Sequence, residues 1–144
     1  MANFPKIKLI AIGKIKKPWI REGVSIYLKR LPELSIAEIK DSTPTKEGEY
    51  ILSQLKSKER LIALTEEGQS WSSVKLAQFL KSIDSHTLVF AIGGAEGFSP
   101  QLKQQAFKQL SLSAMTFPHE LARLILVEQL YRAKTILQGS HYHK

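Results

Sequence analysis

The 144-residue chain contains no cysteine. Disulfides, thiolate catalysis and Cys-ligated zinc are therefore excluded, while the redox compartment stays open. Its uninterrupted apolar runs are only a few residues long, far short of the roughly 20 that a membrane-spanning helix needs. The N-terminus is basic, but no apolar stretch with a small-residue cleavage site follows it. A secretory leader is not expected, and a cytoplasmic location is the simplest reading. Linkers, repeats and low-complexity tracts are missing as well. With 43% hydrophobic residues, the chain reads as a single domain spanning 1–144 with one core. Carboxylates are scarce at the front: residues 1–30 hold Lys6, Lys8, Lys14, Lys16, Lys17, Arg21, Lys29 and Arg30 against Glu22 alone. Eight cations less one carboxylate give +7 out of a formal net charge of +8. Such a one-sided excess is either a solvated basic face or the footprint of a polyanionic partner, of which nucleic acid is the commonest.

What is present is an alternation of strand and helix patterns. KIKLIAIG (6–13) reads as a strand ended by Gly13, and PWIREGVSIYLKRL (18–31) as an amphipathic helix opened by Pro18. LSIAEIK (34–40) alternates as a strand does, and Thr43-Pro44 opens a helix over 43–57. RLIALT (60–65) is a short strand closed by a turn at Glu67-Gly68. Ser72 or Ser73 caps a helix running to Ile83, and TLVFAIG (87–93) is the most strand-like segment. Ser99 as N-cap and Pro100 behind it start a helix through Phe107. LSLSAM (110–115) is a fifth strand, and PHELARLILVEQLYRAKTIL (118–137) is the longest helix, ended by Gly139. Five strands alternating with helices predict an α/β domain with a mostly parallel sheet and flanking helices. Such sheets bind ligands at the carboxyl ends of their strands. The loops expected there are 64–68, 93–98 and 113–119.

The stretch LVFAIGGAEGFSP (88–100) places three glycines after a strand. A dinucleotide fingerprint fits poorly. The spacing is GGxxG rather than GxGxxG, it follows the fourth strand, and Arg123 lies where an acidic ribose partner is expected. No Gly-Lys-Ser/Thr follows, which excludes a phosphate-binding P-loop. Two readings remain on the pattern alone: a tight turn, or a place where Gly93 and Gly94 let the main chain approach a flat ligand. In the long helix, Leu124, Ile125, Leu126 and Val127 cover every side. Burial all round follows, either under the chain's own sheet or in a homodimer interface. Arg132 stands four residues after Glu128, as in a helix ion pair, and its guanidinium also suits phosphate or a uracil ring. His119, at the positive end of a helix, is expected to be neutral, structural or cofactor-adjacent. His141 and His143 have no third ligand near them in sequence, so no metal is expected.

Taken together, VFAIGGAEGFSP, LSLSAMTFPHELARLILVEQLYRA and the ending HYHK resemble the SPOUT-class ribosomal RNA large-subunit methyltransferase H family, the pseudouridine-N3 methyltransferases. IGKIK (12–16), YLKRL (27–31) and ALTEEGQSWSS in the middle match further blocks in the same order, so the resemblance covers nearly the whole chain. It implies a SPOUT-type α/β fold with a deep trefoil knot in the C-terminal half, a homodimer, and S-adenosyl-L-methionine as cofactor. The family's cofactor contacts carry over to Leu64, Gly94 and the loop of Leu112, Ser113, Ala114, Met115, Thr116, Phe117 and Pro118. Its Tyr-His pair near the terminus corresponds to Tyr142 and His143, with His141 where Pro is usual and Lys144 where Arg is usual. The catalytic set implied is His143, Tyr142 and Arg132. The basic residues Lys14, Lys16, Lys17, Lys29 and Arg30 are the candidates for binding ribosomal RNA. The substrate implied is N3 of a pseudouridine in 23S rRNA on assembled ribosomes. A proton acceptor for that imide N–H could be His143 or the chain-terminal carboxylate, or Arg132 could stabilise a bound imide anion. Alternatives are a SPOUT enzyme with another RNA target and a non-enzymatic ribosome-binding factor of the same fold.

Overall fold

Along β1 (Ile7–Ile12) and β4 (Thr87–Ile92) apolar side chains point to both faces, as in strands covered on both sides. In the computed structural model, which describes residues 4–83 and 87–143, these two are inner strands of a five-stranded sheet in the order β2-β1-β4-β3-β5. The others are β2 (Leu34–Ile39), β3 (Glu59–Ser70) and β5 (Lys108–Ser111). Every pairing is parallel. Helices α1 (Pro18–Lys29), α3 (Ser73–Ser82) and α5 (His119–Leu137) pack on one face, and α2 (Pro44–Gln54) and α4 (Pro100–Gln105) on the other. Strand alternation divides the core accordingly. Leu88, Phe90 and Ile92 face α1, α3 and α5, while Val89 and Ala91 face α2 and α4.

Local chemistry sets the helix starts. The hydroxyls of Thr43, Ser72 and Ser99 each accept from a backbone N–H three residues on, satisfying a donor that the first turn leaves free. At the other end of α5, Gly139 takes a φ of +72°, and the N–H of Ser140 returns to the carbonyl of Thr135.

Three expected elements are corrected. β3 does not close at Glu67-Gly68. It pairs with β5 up to Leu64, bulges outward over 65–68, and rejoins the sheet at Gln69. Gly68 permits this, because a Cβ there would stand 2.7 Å from the Gln109 backbone, closer than any side chain tolerates. The fifth strand lies at 108–111 rather than 110–115, and α4 stops at Gln105 instead of reaching Phe107. The cause is the same ladder: the Phe107 N–H donates to the Leu61 carbonyl at 2.8 Å, pulling the chain into the sheet early.

The start of α5 is tied to the sheet by a buried cation. Arg123, 1% exposed, donates to Glu38 on β2 at 2.6 Å and to the carbonyl of Gly13 at the end of β1 at 2.9 Å. The two partners differ in what their loss leaves behind. Glu38 reaches solvent, but Arg123 does not. Glu38→Ala should therefore cost about 3–5 kcal/mol, because it strands a buried charge. Arg123→Met, which keeps the volume and removes the charge, should cost less. Urea denaturation of the two variants checks that order.

Candidate functional site

All three loops expected at the carboxyl ends of the strands line one cavity of about 850 Å³, within the size range of small-molecule sites. Leu64 and the bulge residues Thr65, Glu66 and Glu67 form one wall. The floor is the 93–98 loop, in which the Gly97 N–H donates to the Gly94 carbonyl at 3.0 Å and Gly97 takes a φ of +75°. The third wall is the segment after β5, from Leu112 to the start of α5 at His119 and Ala122.

The two glycines of the pair differ in their surroundings. Gly93 is the packing glycine, since a Cβ on it would meet the Gly97 backbone at 3.1 Å. At Gly94 a Cβ would make only ordinary contact with Ile12 at 3.4 Å, and the residue lines the cavity. Of the remaining candidates, Leu64, Leu112, Ser113, Met115, Thr116, Phe117 and Pro118 line the cavity, whereas Ala114 is exposed and does not. Ser113 shapes this loop: its hydroxyl accepts from the Met115 N–H at 3.0 Å, and its carbonyl accepts from the Ser111 hydroxyl at 2.9 Å. Sequence reasoning missed Glu67 and Lys103, which form a 2.6 Å ion pair at the cavity wall. Thirty-six residues separate them, and no spacing rule joins them.

The basic residues do not form one patch within the chain. Lys14, Lys16 and Lys17 are exposed in the β1–α1 loop. Glu120, in the first turn of α5, accepts from the N–H groups of Lys16 and Lys17 at 2.9 and 3.2 Å, which holds this loop beside the cavity. These hydrogen bonds keep the Glu120 carboxyl below its ordinary range, overcoming desolvation, which acts in the opposite direction. Lys29 and Arg30 lie at the other end of α1, a helix of 12 residues and so about 18 Å long. Lys8 and Arg21 have partners within the chain, Glu59 and the Ile15 carbonyl.

The tail folds back along α5. Arg132 binds Glu128 through two nitrogens, at 2.7 and 3.3 Å, and its Nη1 lies 3.1 Å from His143 Nδ1. The Tyr142 hydroxyl donates to Glu128 at 2.8 Å, and its ring stacks edge-on against Tyr131. Burial foremost, with the bonds to Tyr27 and Glu128, pushes the Tyr142 phenol well above its ordinary range, so the hydroxyl stays protonated. Glu128 likewise raises Arg132, whose charge is permanent. The expected ion pair of Arg132 with Glu128 is thus present, in one cluster with the tail. Lys144, with the chain-terminal carboxylate, lies outside the described residues. The cluster is remote from the cavity of its own chain. Arg132 is ten residues along the helix from Ala122, about 15 Å.

The four consecutive apolar residues of α5 are only half accounted for. Leu126 and Val127 are fully buried in the core, but Leu124 and Ile125 are half-buried beside a groove that includes Gly23, Ile26 and Tyr27 of α1. Ile26 is 48% exposed there. Among the described residues, no three His, Asp or Glu side chains come together as a metal site, and no helix is long and apolar enough to cross a membrane.

An all-parallel α/β sheet with a cavity built from three strand-end loops and the start of the last helix belongs to the ligand-binding α/β class. The profile of the family described as "Predicted SPOUT methyltransferase" matches residues 5–143. The chain belongs to the SPOUT methyltransferase family and, within it, to the group of proteins named ribosomal RNA large subunit methyltransferase H. A protein of that name from Synechococcus sp. (strain RCC307) is 58% identical over 139 residues, covering 96% of this chain and 95% of its own. One from Prochlorococcus marinus (strain NATL2A) is 54% identical over 144 residues, covering 100% and 99%. Another, from Synechococcus sp. (strain CC9605), is 51% identical over 142 residues, covering 99% of each chain.

The tail contacts lead to a test that needs no ligand. Tyr142→Phe keeps the ring and removes the hydroxyl, with its 2.8 Å bond to Glu128 and its longer contact with Tyr27, costing about 1–2 kcal/mol locally. Global unfolding by urea should be nearly unchanged, while the last residues become more mobile. Amide hydrogen exchange in the tail should rise roughly tenfold; unchanged exchange would show that this bond does not hold it.

Proposed function

We propose that the protein transfers the methyl group of S-adenosylmethionine to N3 of a pseudouridine in 23S ribosomal RNA, acting on the assembled ribosome in the cytoplasm. The observation that carries this reading is the cavity itself: strand-end loops of a SPOUT methyltransferase meet in a space sized for a nucleoside. The residues fit such a ligand. Leu64 and Leu112 line the cavity and would offer apolar sides to an adenine, and backbone groups of Gly94, Ser113 and the residues from Met115 to Pro118 would hold its polar edges. When bound, the donor supplies a methyl already activated by its sulfonium. The chain's task is then to position the acceptor nitrogen and exclude competing water, which is worth up to about 7–11 kcal/mol in ideal cases.

The same reading includes the trefoil knot and a homodimer. A second copy covers Leu124, Ile125 and Ile26, the apolar residues that the chain's own sheet leaves half-exposed. It also answers the separation of tail and cavity. A tail about 15 Å from its own cavity serves the cavity of the other subunit. The split basic residues then rejoin: Lys14, Lys16 and Lys17 flank one chain's cavity, and the second copy's Lys29 and Arg30 arrive with its tail. Phosphates of the RNA bind these cations, with an affinity that falls steeply with salt.

Primer extension and nucleoside mass spectrometry on ribosomes from a deletion strain test the reaction. Adding the protein and the donor should restore a single N3-methylated pseudouridine. Methylation elsewhere would identify another RNA target, and ribosome binding without methylation a non-enzymatic binding factor.

Mixed dimers test the tail. A homodimer lacking Tyr142, His143 and Lys144 should lose about 10²-fold or more in rate. Pairing that subunit with a Gly94→Val subunit should restore about half the wild-type rate per dimer, because one intact cavity then meets one intact tail. An inactive mixed dimer would place the tail in its own chain's site.

A further inference from the structure

The contact between Arg132 and His143 fixes more than a position. A guanidinium has only donors and does not lose its proton. Its Nη1 lies 3.1 Å from His143 Nδ1, so Nδ1 accepts, and the imidazole proton resides on Nε2. A second proton on Nδ1 would set N–H against N–H and cation against cation. Among the described residues, the groups facing this imidazole give no compensating partner. Glu128 has one oxygen bound by Arg132 Nε and Gln129, and the other bound by Arg132 Nη2 and Tyr142. Tyr27 and Tyr142 are hydroxyl-bonded to each other, and Arg30 lies over Tyr131.

Resting on the reaction above, we propose that His143 is a neutral hydrogen-bond donor to a carbonyl oxygen of the target ring, and that it is not the base that takes the N3 proton. The carbonyls flanking N3 carry the charge of the imide anion. A donor polarised from behind by a permanent cation meets that charge as it forms. The N3 proton leaves to solvent hydroxide, giving water and the imide anion. The N3 lone pair then bonds to the methyl carbon while the C–S bonding pair stays with sulfur. Anion and sulfonium become two neutral products.

Nitrogen-15 NMR of the full-length protein decides the tautomer without any reaction. The expected spectrum shows a protonated Nε2 and a bare Nδ1 on the resonance that His143→Gln removes; a protonated Nδ1 overturns the proposal. Single-turnover methylation of ribosomes decides the role. His143→Gln keeps an N–H donor but cannot accept a proton, and should stay within about tenfold of wild type. His143→Ala should fall about 10²-fold. The wild-type rate should climb tenfold per pH unit from pH 6 to 8. Equal losses in the two variants, or a plateau near the ordinary histidine range of about 6.5, would make His143 the base. If wild-type protein transfers no methyl to ribosomes, the proposed reaction is at fault, and the NMR result still stands on its own.

Discussion

The start of α5 is where this molecule is held together, and a buried guanidinium holds it. Arg123 sits in the core with Glu38 and the Gly13 carbonyl as its partners. One turn earlier, Glu120 takes the N–H groups of Lys16 and Lys17. Three bonds thus join the last helix to the end of the first strand and the loop after it, more than a hundred residues away, and a fourth reaches β2. Bond for bond, an ionic link in a dry core adds less stability than well-packed side chains do. It does, however, specify a single position. Because Pro118, His119 and Ala122 line the cavity, the same anchor that seats the helix also sets one wall of the site and brings the basic loop beside it.

The cavity depends on backbone more than on side chains. A parallel sheet ends in loops on one side, and here three of them converge. Gly68 lets β3 leave the ladder and return, so residues 65–67 stand over the site instead of continuing the strand. Gly93 lets the 93–98 loop fold onto Gly97. Side chains would block both approaches. Glycine is needed at these two points for space, whereas at Gly94 a Cβ would make only ordinary contact.

The tail cluster separates charge from titration. Glu128 is surrounded by Arg132, Tyr142 and Gln129, so its carboxylate is fully occupied. Burial and these bonds hold the Tyr142 proton in place. Arg132 and Tyr142 are therefore oriented donors whose protonation changes little across the neutral range. Such a set suits the stabilisation of developing negative charge, which needs preorganised donors more than a mobile proton.

The sequence alone determined the fold class, the start of nearly every helix, and the three loops of the cavity. The reason is that these depend on short-range signals. Strand and helix periodicity, Thr43, Ser72 and Ser99 as caps, and Gly139 as a stop act within a few residues of themselves. Relatedness added the family, because long blocks such as LSLSAMTFPHELARLILVEQLYRA keep their order. Tertiary structure alone decided what depends on partners far along the chain. The pairing of Phe107 with Leu61 moved β5, and the Gln109 backbone beside Gly68 extended β3. Glu67 found Lys103, and Arg123 found Glu38. The basic residues that are neighbours in sequence were parted by the length of α1, because a helix converts sequence distance into real distance at 1.5 Å per residue.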